Sequence, residues 1–474
     1  MSLGVPNGLS ADSASALGRA RELMKAGRAG EAEAICRGIL QSRPEDAPAL
    51  HLLGVLAHRR GDNRAALALV ERAASRPEAP GDCFVTLTQI HQLEGRLDQA
   101  LTAGREAVRR RPGAPQALFS LGAVHVERAE LADAAMCFRQ ALSLDPNFAP
   151  AHLELGHILL LTGDFQAGWI EYQWRFSLED TRHLIPPFRV PQWDGRELPH
   201  GRILLIGDQG YGDTIQFARY IPAVAERCAE VLIGCSPELL PLIGAIRGAG
   251  RSFVRWEHIP PFDAYCALSS LPGLFKTDLG SIPASVPYLA CDPEIARRWA
   301  ERLASACVGS RLRVGIAWAG RPSHPRDRQR SARWADLAPL TRLSGVSLAS
   351  LQKEVPAPDR PELARATGLI DLGQGLADFS ETAGVLGNLD LVVTVDTSLA
   401  HLAGALGKPV WLMLPRVPDW RWMLGREDSP WYPTARLFRQ DARGEWAGVI
   451  ERVARELRAV LDGDRGRLLP PGSR

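Results

Sequence analysis

Four residues in the C-terminal part of the chain are the best candidates for chemistry, because their types suit a phosphate-bearing ligand. Asp396, Thr397 and Ser398 follow directly on an apolar run, Leu391–Val395, and His401 comes one helical turn after Thr397. A carboxylate, two hydroxyls and an imidazole at this spacing could hold phosphates and sugar hydroxyls. The first three are also common helix N-caps, and a histidine in a helix often only packs, so a purely structural role stays open.

A βαβ unit must position these four residues. The apolar run predicts a buried strand, and the small residues at 399–406 predict a helix that stops at Gly407. A second apolar run follows at 410–414, so the two strands should be parallel and buried. Ligands of such sheets bind beyond the carboxyl ends of the strands, where a helix N-terminus attracts phosphate with its unpaired N–H groups.

A glycine-rich loop forms a second candidate site. It follows a predicted strand at 203–206 and reads Gly210, Tyr211, Gly212 before Asp213, which opens an amphipathic helix. The glycines would let a ligand approach the backbone closely, and the helix dipole would favour the charge of Asp213. The glycine order is not that of the dinucleotide fingerprint, and the phosphate-loop lysine is missing, which argues against a nicotinamide enzyme or an NTPase. A plain N-cap role for Asp213 stays open.

Two further loops follow predicted strands. The loop after the strand at 312–318 contains five arginines, which suit a diphosphate through bidentate contacts, although a solvated loop would look the same. These are Arg321, Arg326, Arg328, Arg330 and Arg333. After Pro415 come two aromatic stretches, 417–422 and 428–433, and such loops commonly line a base or sugar pocket by stacking.

The N-terminal part carries a repeat of 34 residues. Gly27, Gly61, Gly95 and Gly163 share one position, with Ala129 in the remaining slot. This period, with small residues where helices cross, resembles the tetratricopeptide repeat. Four units cover about 13–148 and a fifth, atypical unit covers 149–182. The concave face of such a solenoid usually binds peptides, but a spacer or a dimerisation arm is also possible.

Length and composition narrow the class of protein. At 474 residues, 46% apolar and 23% charged, the chain predicts a soluble protein of two or three domains. The net charge of +2 gives no reason to expect a nucleic-acid partner. No apolar run approaches the roughly 18 residues of a transmembrane helix, and the first residues do not resemble a secretion signal. We therefore expect a cytoplasmic protein whose eight scattered cysteines are reduced.

Four motifs together resemble one family of enzymes. They are GDQGYGDTIQFARYIP at 207–222, GRPSHPRDRQRS at 320–331, DLVVTVDTSLAHLAGALGKPVW at 390–411 and PDWRWMLGREDSPWYPTARLFRQ at 418–440. The combination is similar to bacterial tetratricopeptide-repeat glycosyltransferases, which are related to heptosyltransferases and more distantly to O-GlcNAc transferases. The resemblance implies an α plus α/β architecture, with a helical solenoid followed by the two Rossmann-like domains of the B-type glycosyltransferase fold.

The domain boundaries expected on this basis are repeats at 13–182, a linker at 183–200, an acceptor-side domain at 201–308, a nucleotide-sugar domain at 309–462 and a disordered tail at 463–474.

The resemblance also implies roles for individual residues. Asp213 matches the proposed general base, and the segment Gly210, Tyr211 and Gly212 is its glycine loop. The implied donor-binding residues are Arg330, Ser331, Asp396, Thr397, Ser398, His401 and Trp420. Heptosyltransferases carry a lysine in the loop where this chain has only arginines. No metal-binding D-x-D stands at a strand end in the catalytic region, so we expect metal-free transfer, with no cofactor. The resemblance favours inversion at the anomeric carbon, but the sequence leaves open whether transfer is retaining or inverting.

The sequence thus predicts a glycosyltransferase that moves a sugar from a nucleotide-sugar to a hydroxyl, on a protein acceptor held by the repeats. A lipopolysaccharide-type glycan is an alternative acceptor, and a catalytically inactive tetratricopeptide adaptor is an alternative function. The nucleotide base, the sugar and the oligomeric state are left open.

Overall fold

The structure is a computed structural model that describes residues 11–181, 183–324 and 326–472. It divides into two compact units, Met1–Leu155 and Gly156–Arg474, with the division inside the ninth helix.

The first unit consists of helices that pack in successive pairs. Its helices are α1 (Ala11–Lys25), α2 (Ala29–Ser42), α3 (Ala47–Arg59), α4 (Asn63–Ala74), α5 (Gly81–Leu93), α6 (Leu97–Arg110), α7 (Pro115–Glu127), α8 (Leu131–Leu144) and α9 (Ala149–Thr162).

The position shared by the repeat glycines has a common backbone conformation. Gly27, Gly61, Gly95 and Gly163 have φ of 75°, 82°, 74° and 95°, and Ala129 takes the same left-handed form at 62°. This conformation ends one helix and turns the chain into the next, which is why glycine recurs there. The 34-residue period therefore reflects one helix-terminating turn per repeat.

Two further repeat glycines, Gly54 and Gly122, lie where two helices of a pair approach closely. A Cβ added to Gly54 would lie 2.5 Å from Val70, and one added to Gly122 would lie 2.6 Å from Phe138. These distances are too short for a side chain, so each glycine permits the close contact between its two helices.

The second unit contains two parallel sheets. The first has strands β1 (Leu198–Ile206), β2 (Cys228–Cys235), β3 (Ser252–Val254) and β4 (Ala264–Ala267), in the order β3-β2-β1-β4. The second has β5 (Leu312–Ala317), β6 (Val346–Ser350), β7 (Leu369–Asp371), β8 (Leu391–Val395), β9 (Val410–Leu414) and β10 (Ala435–Arg439), in the order β10-β9-β8-β5-β6-β7. Two all-parallel α/β regions after a repeat solenoid are consistent with a B-type glycosyltransferase.

Helices connect these strands. They are α10 (Phe165–Tyr172), α11 (Tyr211–Phe217), α12 (Ile221–Ala225), α13 (Leu240–Ile243), α14 (Leu271–Leu274), α15 (Pro293–Ala306), α16 (Asp327–Arg330), α17 (Ala338–Thr341), α18 (Arg360–Leu363), α19 (Phe379–Gly387), α20 (Ser398–Ala405) and α21 (Ala447–Leu461). None of the helices in the described part of the chain combines the length and the apolarity that a membrane crossing requires.

The strand order of the second sheet locates its ligand-binding edge. Successive strands run outward from β5 to β6 and β7, and then from β8 to β9 and β10 on the other side. Neighbouring strands β5 and β8 thus send their connections to opposite faces, which opens a crevice beyond their carboxyl ends. The arginine loop follows β5 and Asp396 follows β8, so topology places both at this crevice.

The chain from 463 onward differs from the predicted disordered tail. A 3-10 helix, Arg465–Leu468, lies next to α21, and Arg467 Nη1 donates to Glu456 Oε2 at 2.9 Å. The carbonyl of Leu468 accepts the indole N–H of Trp411 at 3.1 Å. These contacts attach Arg467 and Leu468 to buried partners on α21 and β9. Residues 473 and 474 lie outside the described chain.

Candidate functional site

A cleft of about 920 Å³ lies at the carboxyl ends of strands from both sheets of the second unit. Its walls come from residues in the segments 209–213 after β1, 236–238 after β2, 317–330 after β5, 351–354 after β6, 376–382 at α19, 396–401 after β8 and 415–421 after β9, and from residue 255 after β3. Most of the predicted site residues line it, namely Gly210, Tyr211, Gly212, Asp213, Arg330, Asp396, Thr397, Ser398 and His401.

The N-terminus of α20 opens into this cleft without a side-chain cap. Thr397 occupies the N-cap position with an extended backbone, φ −141° and ψ 173°, but its side chain accepts no hydrogen bond from the helix. Its hydroxyl lies 3.4 Å from that of Thr394 instead. Because the first N–H groups of a helix then lack a side-chain acceptor, this end suits an anion. The geometry weakens the cap-only interpretation of Thr397.

Arg330 adds a cation beside this helix end. Its Nη1 donates to the backbone carbonyl of Asp396 at 2.9 Å, and its Nε lies 3.4 Å from Asp327 Oδ1. The side chain is only 17% exposed, so its position is fixed by these partners. A guanidinium and a helix N-terminus converge here as a diphosphate would require.

The Asp396 carboxyl lies in an unfavourable electrostatic environment. Burial raises its pKa, the charge of Asp419 raises it further, and Arg330 acts in the opposite direction. The net effect is a pKa above the usual aspartate range. Such perturbed carboxyls are concentrated at functional sites, where burial and neighbouring charges are arranged to shift pKa values.

His401 is buried on α20 and is neutral near physiological pH. Burial, assisted by the charge of Arg421, lowers its pKa to about 3. Its Nδ1 lies 2.9 Å from the hydroxyl of Tyr432, and its ring stacks on Trp422 at a centroid distance of 5.4 Å. The imidazole can therefore offer hydrogen bonds to a ligand but no positive charge.

Asp213 lies at the third position of α11 and is held through both carboxylate oxygens. Oδ2 accepts the backbone N–H of Gly210 at 3.0 Å, and Oδ1 accepts Arg421 Nη2 at 2.5 Å. The capping role and the cleft position thus coexist. Burial raises the pKa of Asp213 more than Arg421 lowers it, and 24% of the side chain remains exposed. A partly exposed carboxylate with a raised pKa is suited to accept a proton.

Arg421 links the two carboxylates of this wall. Besides Asp213 it donates to Asp419 Oδ1 at 2.9 Å and to Gln216 Oε1 at 2.5 Å. Burial raises the pKa of Asp419, but Arg421 outweighs that effect and holds the pKa below the usual range. One buried guanidinium therefore neutralises charge from both α/β regions of the second unit.

The helix ends of α11 and α20 meet at Gly212. A Cβ added to this glycine would lie 2.7 Å from His401 Cδ2 and 3.4 Å from Ser398 Cα. Only a glycine permits this approach, which brings the loop of Asp213 next to the uncapped N-terminus of α20.

Two family profiles match segments of this chain. The profile of glycosyltransferase family 9 (heptosyltransferase) matches residues 356–411, a segment that contains β8, α20 and β9. A tetratricopeptide repeat profile matches residues 17–82 and 94–147. This chain carries tetratricopeptide repeats and a glycosyltransferase domain. Together these two components support glycosyltransferase activity and protein binding.

Several known proteins are similar to parts of this chain. Protein FlbA of Caulobacter vibrioides is 25% identical over 469 aligned residues, which cover 92% of this chain and 71% of that protein. Protein O-mannosyl-transferase TMTC2 of Mus musculus is 32% identical over 84 residues, which cover 17% of this chain and only 10% of that protein. A thermophilic tetratricopeptide protein of Thermus thermophilus aligns with 35% of this chain and 92% of its own, at 20% identity and a TM-score of 0.31.

Ser331 lies next to the cleft of the glycosyltransferase domain but does not line it. Its hydroxyl accepts the N–H of Gly320 at 2.9 Å and donates to Asp327 Oδ1 at 2.9 Å. These two bonds fold the arginine loop back onto the end of β5. The position predicted as a donor contact is thus engaged in shaping the loop that carries Arg330.

Trp420 is also absent from the cleft wall. It is only 2% exposed and packs edge-on against Trp169, at a centroid distance of 5.2 Å, and against Tyr172 and Trp431. Trp420, predicted as a donor-binding residue, therefore does not line the cleft, because the turn after β9 directs the indole inward. Arg421, whose guanidinium carbon lies 4.3 Å from the Trp420 ring centroid, faces the cleft instead.

Several cleft residues escaped the sequence prediction. They are Asp419 and Arg421 after β9, Glu238 and Arg255 near β3, and Lys353 after β6. Each follows the carboxyl end of a strand, so the rule that identified Asp396 could have found Asp419 and Arg421. The sequence prediction selected the aromatic Trp420, although the charged residues Asp419 and Arg421 lie on either side of it.

One group of side chains in the described residues could hold a metal ion. It consists of His125, Glu130 and Asp133 in the helical unit. His125 Nδ1 and Glu130 Oε2 lie 2.6 Å apart, and Glu130 also accepts Arg128 Nε at 2.8 Å. Two of the three side chains, His125 and Glu130, are therefore already engaged with protein partners.

Proposed function

We propose that the cleft transfers a sugar from a nucleotide-sugar donor to a hydroxyl acceptor, without a metal ion and with inversion at the anomeric carbon. The observation that carries the proposal is the meeting of α11 and α20 at Gly212. It brings a partly exposed carboxylate, Asp213, to the same cleft as the uncapped helix end and Arg330. A base and an anion-binding group are the two components that such a transfer needs.

The donor side of the cleft supplies fixed positive potential for a diphosphate. The N–H groups at the start of α20 and the guanidinium of Arg330 can stabilise negative charge as it develops on the leaving group. His401 would add a neutral hydrogen bond. Arg330 and His401 are held by hydrogen bonds to other protein groups, and the N–H groups are held by the helix itself. Little reorganisation is therefore needed during the reaction.

The acceptor side supplies the base. Asp213 would take the proton from the acceptor hydroxyl while the oxygen of that hydroxyl attacks the anomeric carbon. The bond between that carbon and the diphosphate oxygen breaks, and the electron pair leaves with the nucleoside diphosphate. A single base and a single displacement favour inversion of the anomeric centre.

A protein is the acceptor that the chain's organisation favours. Tetratricopeptide repeats commonly bind peptide segments, and the relative TMTC2 bears the name of a protein O-mannosyl-transferase. Glu238 and Arg255 give the acceptor-side wall one negative and one positive charge, which suits a polar ligand.

The cytoplasmic location expected from the sequence remains a prediction.

Calorimetric titration tests the donor proposal. The protein is titrated with UDP, GDP, ADP, CMP and their sugars, in parallel with Asp396→Ala and Asp213→Asn, and with Asp441→Asn as an exposed control. We expect one nucleotide class to bind and Asp396→Ala to weaken it. Asp213→Asn should keep binding but lower transfer by about 10²–10⁴-fold. If no nucleotide binds at millimolar concentration, the adaptor function is favoured.

A further inference from the structure

The surroundings of Tyr432 determine whether His401 offers a hydrogen-bond donor or an acceptor to the cleft. Nδ1 of His401 lies 2.9 Å from the Tyr432 hydroxyl, and the imidazole lines the cleft. A neutral imidazole has one nitrogen that donates and one that accepts. The proton shared with Tyr432 therefore determines whether the other nitrogen, Nε2, donates to a ligand or accepts from it.

Tyr432 is fully buried and its ring is locked in place. The ring lies against Gly404 of α20, where an added Cβ would collide with it, and tilts against Trp422 at a centroid distance of 6.1 Å. Burial raises the pKa of Tyr432 above its ordinary value. The phenol therefore keeps its proton and has one to donate.

Arg219 restricts where that proton can go. Its guanidinium carbon lies 4.6 Å from the Tyr432 ring centroid, so a positive charge faces this ring. A guanidinium only donates hydrogen bonds, so the phenol proton cannot be directed to Arg219. The remaining neighbours that can take the phenol proton are Tyr288 and Nδ1 of His401.

The Tyr288 hydroxyl already has two other hydrogen-bond partners. Its hydroxyl donates to the carbonyl of Ile215 at 3.0 Å and accepts Nη2 of Arg219 at 3.2 Å. An imidazole nitrogen is also a far stronger base than a phenol oxygen. The Tyr432 proton is thus directed to Nδ1 of His401.

We propose that Tyr432, oriented by Arg219, is a positioning residue that fixes His401 in the Nε2–H tautomer, so that the imidazole donates a hydrogen bond into the cleft. The ligand class that this donor fits is a phosphate or sugar oxygen of the nucleotide-sugar, and this part rests on the proposed function. It assigns His401 a donor role and leaves the proton transfer to Asp213.

Nitrogen-15 spectroscopy of the full-length protein tests the tautomer directly. The 11 histidines are labelled in the ring, and His401 is assigned by the signal lost in His401→Asn. In the unliganded wild type we expect a protonated Nε2 and an unprotonated Nδ1. Observation of the Nδ1–H tautomer, or of an imidazolium at neutral pH, would overturn the proposal.

Tyr432→Phe removes the hydroxyl and keeps the ring, while Tyr288→Phe removes a neighbouring hydroxyl that does not bond His401. Tyr432→Phe should shift His401 toward the Nδ1–H tautomer. It should also weaken binding of the nucleotide that the wild type binds, by roughly 3- to 10-fold. Tyr288→Phe should leave the His401 signals in place. An unchanged Tyr432→Phe spectrum would contradict the proposal.

The two proposals can fail separately. The wild-type spectrum is recorded without a ligand, so it decides the tautomer even if no nucleotide binds or Tyr432→Phe does not fold. Conversely, if a nucleotide binds but His401 is in the Nδ1–H tautomer, the tautomer proposal is wrong and the proposed transferase function is unaffected.

Discussion

Arg421 is the residue with the widest influence on the candidate site. It is 8% exposed and contacts Asp213, Asp419 and Gln216, so its charge reaches the proposed base and the donor side together. Removal of one partner from a buried ion pair usually costs about 3–5 kcal/mol, because a charge is left without compensation. Arg421 thus connects stability to catalysis at one position.

The pH dependence of transfer should respond to Arg421. Asp213 must be deprotonated to act as a base, so activity should fall as pH drops through its raised pKa. Arg421 lowers that pKa, and Arg421→Gln should therefore move the acidic limb of the kcat/KM profile to higher pH.

The charge-conserving Arg421→Lys should shift the limb less. Arg426→Gln, in the same loop but paired with Asp428, is a control that should leave it unchanged. A limb that stays in place in Arg421→Gln would mean that Asp213 is not the titrating base.

At the scale of elements, the contact between α11 and α20 joins two halves of one site. Gly212→Ala would place a Cβ 2.7 Å from His401 Cδ2 and force the two helix ends apart. Overpacking of this kind typically costs about 1–3 kcal/mol. We expect a lower melting temperature and weaker nucleotide binding, measured by calorimetry.

Gly387→Ala is the matched control for this change. Gly387 ends α19, and a Cβ added there meets nothing within 4 Å. The control should keep both stability and binding. If Gly212→Ala binds nucleotide as tightly as the control, the close approach of the helices is not needed for the donor site.

At the scale of the whole chain, the end of the predicted repeat region belongs structurally to the α/β unit. Trp169 Nε1 donates to the carbonyl of Thr277 at 2.8 Å, and the hydroxyl of Tyr172 lies 3.0 Å from Gln209 Nε2. Arg175 bonds Ser269 and Ser270 and lies 3.8 Å from the buried carboxylate of Asp208. These residues hold the loop that leads to Asp213.

Two truncations should therefore behave differently. A fragment that begins at 145 keeps α9, α10 and Arg175, and should fold and bind nucleotide as the full chain does. A fragment that begins at 183 lacks the cation beside Asp208 and the packing on Trp420, and should lose several kcal/mol of stability. Thermal unfolding followed by circular dichroism compares them, and equal melting temperatures would contradict this assignment.

Local sequence patterns were sufficient to predict much of the fold. The strand at 391–395 and the helix after it follow from β-branched runs and small residues, and the 34-residue period follows from one left-handed turn per repeat. The rule that ligands bind beyond strand ends placed Asp396 and Arg330 in a common cleft. These features depend on residues close together in the chain, which is why sequence alone reaches them.

The roles of Trp420, Arg421 and Tyr432 required the tertiary structure. These residues stand within 13 positions of one another, and nothing in their types tells which faces inward. The turn after β9 buries Trp420 against Trp169 and directs Arg421 to Asp213, 208 positions away in the chain. The sequence by itself determined the repeats, the parallel sheets and the edge where a ligand would bind, because each depends on local periodicity. Packing between distant segments decided which side chains reach that edge and in which protonation state.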